Sequence, residues 1–158
     1  MKASQLRLAR RIPLLLLAAL AAGCLEPSDQ RPGFALRGEK VAALPQDWAF
    51  SDAHPEVAVQ VATPYVLPHS VTIWCAQVDG ALYLGARDPE TKSWPGWVDD
   101  HPEVRLKIGN TLYDVRLEPV SDEARLGPVR KAYADKYDLP APGPDSPPIR
   151  YWVVKPRT

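Results

Sequence analysis

The stretch His69–Val120, HSVTIWCAQVDGALYLGARDPETKSWPGWVDDHPEVRLKIGNTLYDVRLEPV, decides the fold. It reads as two β-hairpins joined by a segment that carries Lys92, Trp94 and Trp97. The first hairpin runs from Ser70 through Gln77, turns at Asp79-Gly80 and returns from Ala81 through Ala86. Asp-Gly between apolar runs is a hairpin signal because both residues tolerate positive φ. The second runs from Glu103 through Ile108, turns at Gly109-Asn110 and returns from Thr111 through Leu117. Val104, Leu106 and Ile108 alternate with Arg105 and Lys107, the period of a half-buried strand. On the return arm Tyr113, Val115 and Leu117 share one face, so a joint core with Val104, Leu106 and Ile108 follows.

Outward from this stretch, Glu56–Thr63 reads as a strand with Val57, Val59 and Val61 on one face. Thr63-Pro64 and Leu67-Pro68 bracket a loop, since Pro cannot continue a central strand. Residues 46–54 form a short helical piece that tucks Trp48 and Phe50 onto the sheet. Glu90–Asp99 is a helical turn broken at Pro95-Gly96. Ser121-Asp122-Glu123 starts a helix, with a capping residue and acid in the first turn. Gly127-Pro128 restarts or kinks it. Val129, Tyr133 and Tyr137 then recur at helical spacing, with Arg130, Lys131 and Lys136 on the other side. Ile149–Val154 is a last apolar strand after a Pro-rich loop. About six strands and one main helix suit a mainly β fold, a small antiparallel barrel.

Composition narrows the function classes. The 158 residues carry 19 basic and 19 acidic side chains, so no net charge points to nucleic acid. No Gly-x-Ser-x-Gly, phosphate-cradling Gly-rich loop or Cys-x-x-Cys occurs. The three His residues have no metal-ligand spacing. At the N-terminus, Lys2, Arg7, Arg10 and Arg11 precede an apolar run, Ile12–Ala22, too short to span a bilayer. It ends in Leu20-Ala21-Ala22-Gly23-Cys24. Small residues before a Cys resemble the bacterial lipobox, in which the Cys is acylated and becomes the mature N-terminus. The usual Leu three places before the Cys is replaced by Ala21. The resemblance divides the chain into a signal peptide (1–23), a flexible tether (24–45) and a folded domain (46–158). It implies an envelope lipoprotein held in the bilayer by acyl chains on Cys24, each buried methylene contributing ~0.8 kcal/mol. Leu25 after the Cys, in place of Asp, resembles outer-membrane sorting, with the domain facing the periplasm. With Cys24 acylated, Cys75 is left unpaired, a small buried apolar residue in its strand.

Lys92-Ser93-Trp94-Pro95-Gly96-Trp97 and Asp100-His101-Pro102-Glu103-Val104-Arg105-Leu106 carry a second resemblance. A hairpin, a Lys-bearing connection, a His-Pro-Glu-Val start to a strand and a Gly-Asn turn resemble the flavin-binding split β-barrel superfamily. Its members include pyridoxamine-phosphate oxidases and deazaflavin-dependent nitroreductases. The resemblance covers residues 55–156 and implies a split barrel that binds FMN or a deazaflavin, commonly at the seam of a homodimer. The matching cofactor-binding positions are Ser70 and Thr72 on one strand face, Gly85 and Ala86 at the end of the partner strand, and Lys92. Ser70 stands where the oxidase branch typically carries Arg, which makes a weaker anion site. Trp74, Trp94 and Trp97 line a ring pocket, a dimer seam or the core. No catalytic side chain is implied, because the cofactor itself carries the hydride. Two readings stand on the sequence: a lipid-anchored flavin-type oxidoreductase, and a non-enzymatic envelope lipoprotein module that uses the barrel cleft for another ligand or a protein.

Overall fold

Both hairpin turns form as the residues dictate. In the computed structural model, which describes residues 26–28, 31–141, 143 and 145–157, Asp79 and Gly80 both take positive φ (50° and 77°) between strands β3 (His69–Val78) and β4 (Ala81–Arg87). That is the type I′ geometry whose twist matches the flanking strands. Between β5 (Glu103–Ile108) and β6 (Thr111–Pro119) only Gly109 does so, at 59°, a type II′ turn. Strand β2 (Val57–Val61) pairs antiparallel with β3 on one side and β5 on the other. The last strand, β7 (Ile149–Pro156), lies between β4 and β6 and closes the sheet. The result is a closed six-stranded antiparallel barrel in the order β2-β3-β4-β7-β6-β5.

The alternation read from the sequence fills this barrel. Val57, Val59, Val61, Leu82, Leu84, Val104, Leu106, Ile108, Tyr113, Val115 and Leu117 are buried in one cluster, with Trp152 and Val154 of β7. The register sets Leu106 opposite Tyr113 and Val104 opposite Val115. Helix α1 (Ser93–Asp100) closes one mouth, burying Trp94 and Val98 against this core, with Trp94 5.2 Å from Trp152. The Asp99–Arg150 ion pair ties α1 to β7. Contrary to expectation, Pro95-Gly96 does not break α1. Pro95 lies in the first turn, where its missing N–H has no partner to lose.

Helix α2 (Glu123–Tyr137) starts at Asp122, whose carboxylate accepts from the Ala124 N–H. It runs without interruption through Gly127-Pro128, correcting the expected restart; the carbonyl that Pro128 leaves unpaired belongs to exposed Ala124. Val129 and Tyr133 pack outside the barrel on Ala76, Tyr83, Tyr151 and Val153. β7 is therefore covered on both faces, which is why IRYWVV is apolar but for Arg150, whose guanidinium pairs with Asp99. Lys136 does not join the solvent side. Its ammonium donates to the Ser51 carbonyl at 3.1 Å beside Cys75, and its side chain is 13% exposed. A 3₁₀ turn, Ala49–Ala53, follows buried Trp48, while Phe50 stays 41% exposed.

Part of the stretch read as a tether lies against the barrel. Gly33 exchanges both backbone bonds with Ser70 (2.8 and 2.9 Å), and Leu36 is buried with its N–H on the Gln60 side-chain oxygen at 2.8 Å. Strand β1 (Glu39–Lys40) then runs parallel to β6. Gly38 permits this approach, since a Cβ there would lie 2.4 Å from the Asn110 carbonyl oxygen. This strap has no periodicity of its own and so left no signal in the sequence.

Leu106→Ala is expected to cost about 2–5 kcal/mol in a urea melt, because the side chain is fully enclosed by both hairpins. A second outcome concerns Asp114. Its carboxylate is held by Arg105 at 2.8 Å and by Lys40 at 2.6 Å, which lowers its pKa from 3.8 to about 2 against the opposing effect of burial. A depressed carboxylate stabilises the fold above its unfolded pKa, and that contribution is lost as pH falls through the folded value. Asp114→Asn should therefore cost ~2 kcal/mol at pH 7, and the gap from wild type should shrink between pH 4 and about 2. A gap independent of pH would assign the loss to packing.

Candidate active site

Strand β3 outlasts its partner β2. Their ladder ends at Val57–Ile73, yet β3 continues to Val78. Helix α2 supplies the missing partner at Cys75 with one phenol, Tyr137, and sets a second, Tyr133, over the β3–β4 ladder. The Tyr137 oxygen accepts from the Cys75 N–H at 2.9 Å and lies 2.8 Å from the Cys75 and Pro55 carbonyls. The Tyr133 hydroxyl shares its one proton between the Trp74 (2.9 Å) and Tyr83 (3.1 Å) carbonyls. Burial raises the pKa of both phenols, so both remain neutral donors. Trp74 then stacks on Tyr137, ring centroids 4.3 Å apart and 10° from parallel, and is still 39% exposed.

A groove of about 1300 Å³ lies alongside, between β3 and β4, the start of α1, helix α2 and the described loop residues Leu139, Pro140, Gly143 and Ser146 to Pro148. Its volume exceeds the ~300–1,000 Å³ of an ordinary small-molecule cleft. Four of the five cofactor-binding positions inferred from the sequence line it: Thr72, Gly85, Ala86 and Lys92. Ser70 does not. It is fully buried beneath the strap, and its hydroxyl donates to the Phe34 carbonyl at 2.6 Å. Alternation placed Ser70 and Thr72 on one face correctly; it could not show that the strap covers half of that face.

Gly85 has a packing reason. A Cβ there would meet the Tyr133 hydroxyl at 3.0 Å, so the bare backbone lets the phenol reach its carbonyls. The Ala86 side chain belongs to the barrel core. Lys92 is exposed, and its ammonium donates to the Arg87 carbonyl. Of the tryptophans in this region, Trp94 is core, Trp97 is half-buried on the groove wall, and Trp74 offers an open ring.

Sequence reasoning missed two cations. Arg87, at the end of β4, and Arg130, on α2, also line the groove. Together with Lys92 they make three cations against one carboxylate, Glu56, among the described lining residues. Arg87 directly precedes Asp88, which turns the chain through φ 50° into a 3₁₀ turn, Pro89–Thr91. That bend sets Lys92 back beside Arg87. Arg130 lies one helical position from Val129, so a helix face that turns toward the groove brings it along. His69 also lines the groove, edge-on to Trp97 with centroids 5.1 Å apart. Burial lowers its pKa, so it adds no positive charge near neutrality. No side chain caps the first turn of α1, whose N-cap position is Lys92 itself. The arrangement suits an elongated, partly aromatic anion.

Solved structures share this architecture. A conserved hypothetical protein from Mycobacterium tuberculosis superposes with a TM-score of 0.55 at 17% identity, over 76% of this chain and 86% of that one. A putative pyridoxamine 5'-phosphate oxidase from Listeria innocua gives 0.52 at 14%, over 70% and 90%. An F420-H2 dependent reductase gives 0.50 at 14%, over 77% of this chain and 100% of that one. At these identities the likeness establishes the split-barrel fold. No curated protein matches the sequence. A family model matches residues 51–143, from the 3₁₀ turn behind Trp48 through both hairpins and α2 to the groove loop, and on that match the chain belongs to the family described as "Uncharacterized protein conserved in bacteria (DUF2255)".

Proposed function

We propose that the groove binds a flavin-type cofactor, FMN or a deazaflavin, and that the protein is a split-barrel redox protein held at the bacterial envelope by an acylated Cys24. The observation that carries the cofactor reading is the pairing of Arg87, Lys92 and Arg130 with an exposed, stacked Trp74 in one groove. Solved relatives in fold include a putative pyridoxamine 5'-phosphate oxidase and an F420-H2 dependent reductase, which supports the class of ligand.

The donor set fits a phosphorylated flavin. Arg87 offers a planar fork for a phosphate, Lys92 a point charge, and the first turn of α1 its uncapped amides. Arg130 faces the same groove and is held by Glu123 across an exposed ion pair, a contact of little net strength. The Thr72 hydroxyl and the Trp74 and Trp97 rings supply edge bonding and a flat wall. When bound, the flavin or deazaflavin would be the hydride carrier. The chain's own part is to neutralise the anion, orient the ring and keep water away from it. Ser70 is withdrawn from this set by its bond to Phe34.

The test is a paired titration with FMN and riboflavin, followed by flavin fluorescence. A hydrogen bond to a charged group contributes roughly 1.5–3 kcal/mol. Lys92→Ala and Arg87→Ala should each weaken FMN about tenfold to a hundredfold and leave riboflavin, which lacks the phosphate, nearly unchanged. Wild type that binds neither, nor a deazaflavin, would leave the groove to the non-enzymatic reading.

Cys24 lies outside the described residues, and no helix among those residues is long and apolar enough to cross a membrane. Anchoring therefore rests on the run Leu20-Ala21-Ala22-Gly23-Cys24. Cys24→Ser should move the protein out of the membrane fraction or stall its processing. Unchanged membrane retention with an unchanged mature mass would refute the anchor.

A further inference from the structure

Glu26 is fastened to the barrel wall. Lys107 stands on the outer face of β5, opposite Ala58 of β2 and Leu112 of β6. Its side chain is 14% exposed, and its ammonium meets the Glu26 carboxylate at 2.6 Å. That hydrogen bond holds the Glu26 carboxyl below its ordinary pKa, against the opposing effect of burial, and the Arg37 N–H bonds to the same carboxylate. A pair with one partner withdrawn from water is screened less by salt than an exposed one. Beyond Glu26 the chain turns, with Ser28 and Arg31 exchanging backbone bonds of 3.1 and 2.9 Å, and then pairs at Gly33 with Ser70 of β3.

Reach decides what this contact does to a lipid on Cys24. Cys24 is two residues from Glu26, a span of at most about 7 Å. It is nine residues from Gly33, a span of up to about 30 Å. With the Glu26–Lys107 pair formed, an acylated Cys24 draws the membrane surface to the wall that carries Lys107. With the pair broken, the barrel can stand clear of the lipid. The far wall is the one that α2 covers. Val129 and Tyr133 pack on Ala76 of β3, Tyr83 of β4, and Tyr151 and Val153 of β7. In the ring β2-β3-β4-β7-β6-β5, β4 is the strand farthest from β5 by pairing.

We infer that the Glu26–Lys107 pair is a clamp that seats the β5 wall of the barrel on the bilayer holding Cys24, with α2 turned to the aqueous side. The inference rests on the acylation of Cys24 proposed above. The occupant of the β5 wall is a lipid surface, because the two residues that separate Glu26 from the acylated position start from that wall.

The experiment uses the full acylated chain in vesicles of phosphatidylethanolamine and phosphatidylglycerol. Mass spectrometry first establishes whether Cys24 is acylated. Asn110→Cys, exposed in the turn at the end of β5, carries a fluorophore, and Lys131→Cys, exposed on α2, carries the same label in a separate protein. Cys75 is buried with its thiol pKa raised by burial and stays unlabelled in the folded protein. Lipid spin-labelled at the headgroup should quench the label at 110 and spare the label at 131. Lys107→Met, which keeps the aliphatic stem and removes the charge, should reduce quenching at 110 severalfold with membrane retention unchanged, and Lys107→Arg should restore it. An acylated protein quenched equally at both positions, or at neither, overturns the seat alone. Quenching at 110 that survives Lys107→Met overturns the clamp. A protein without acyl chains overturns the anchor and the seat with it.

Discussion

A β-strand that outruns its partner exposes backbone donors and acceptors that must be met elsewhere, and here the answer builds the site. Past Ile73, strand β3 has lost β2, and the Cys75 N–H and carbonyl turn to the Tyr137 phenol on α2. Each of those buried backbone groups would cost about 1–3 kcal/mol if left unsatisfied. Meeting them from a helix fixes the axis of α2 over β3 and β4. The fit is close: Tyr133 reaches its carbonyls only because position 85 has no Cβ. Once α2 is held there, its Arg130 side and the strand ends bound an open groove, and Trp74 is stacked in place with its free face outward.

The remaining edges are treated differently. β7 fills the gap between β4 and β6 and removes two edges together, at the cost of a strand that must be apolar on both faces. β6 runs past β7 at its beginning, and there the strap adds Glu39–Lys40 in parallel. Lys40 brings its charge to Asp114, so a backbone ladder and an ion pair of the strap fall at the same place. A segment with no apolar periodicity is thereby held by one buried leucine, one side-chain amide and a short ladder.

The barrel was legible because its residues state local rules that tertiary packing does not overturn. The Asp79-Gly80 and Gly109-Asn110 turns, the valines of β2 and the alternation of β5 and β6 each carry their own period. The two helices were legible in position but not in continuity. Pro95 and Pro128 read as breaks in isolation, and only their places, in the first turn of α1 and after an exposed carbonyl in α2, make them tolerable. The site was legible as a set of positions and not as a set of roles. Period-2 alternation put Ser70 and Thr72 on one face, but nothing in it reveals a strap arriving from more than thirty residues upstream to take the Ser70 hydroxyl. Arg87 and Arg130 were passed over for a related reason: a charged residue at a strand end or on a helix flank looks solvated until the described residues of the loop after α2 are seen to wall the space in front of it.

The strap also explains where positive charge can gather. By burying Ser70 it closes the part of β3 nearest the β2–β3 loop to any ligand, and Pro32 becomes part of the groove wall. What stays open on that side is Thr72 and Trp74, neither of which brings a charge. Charge enters from the opposite edge, where β4 ends in Arg87 and the Asp88 bend returns Lys92 against it. Arg87 turns its Nε toward the Asp88 carboxylate at 3.6 Å, Lys92 donates to the Arg87 carbonyl, and the start of α1, with no side-chain cap, adds its partial positive charge. Among the described residues Arg87 and Arg130 are held only by exposed ion pairs, with Asp88 and Glu123, and such pairs contribute little net stability. Little is therefore lost when those cations turn to a ligand in the groove, and an anionic, flat ligand is favoured there over its uncharged analogue.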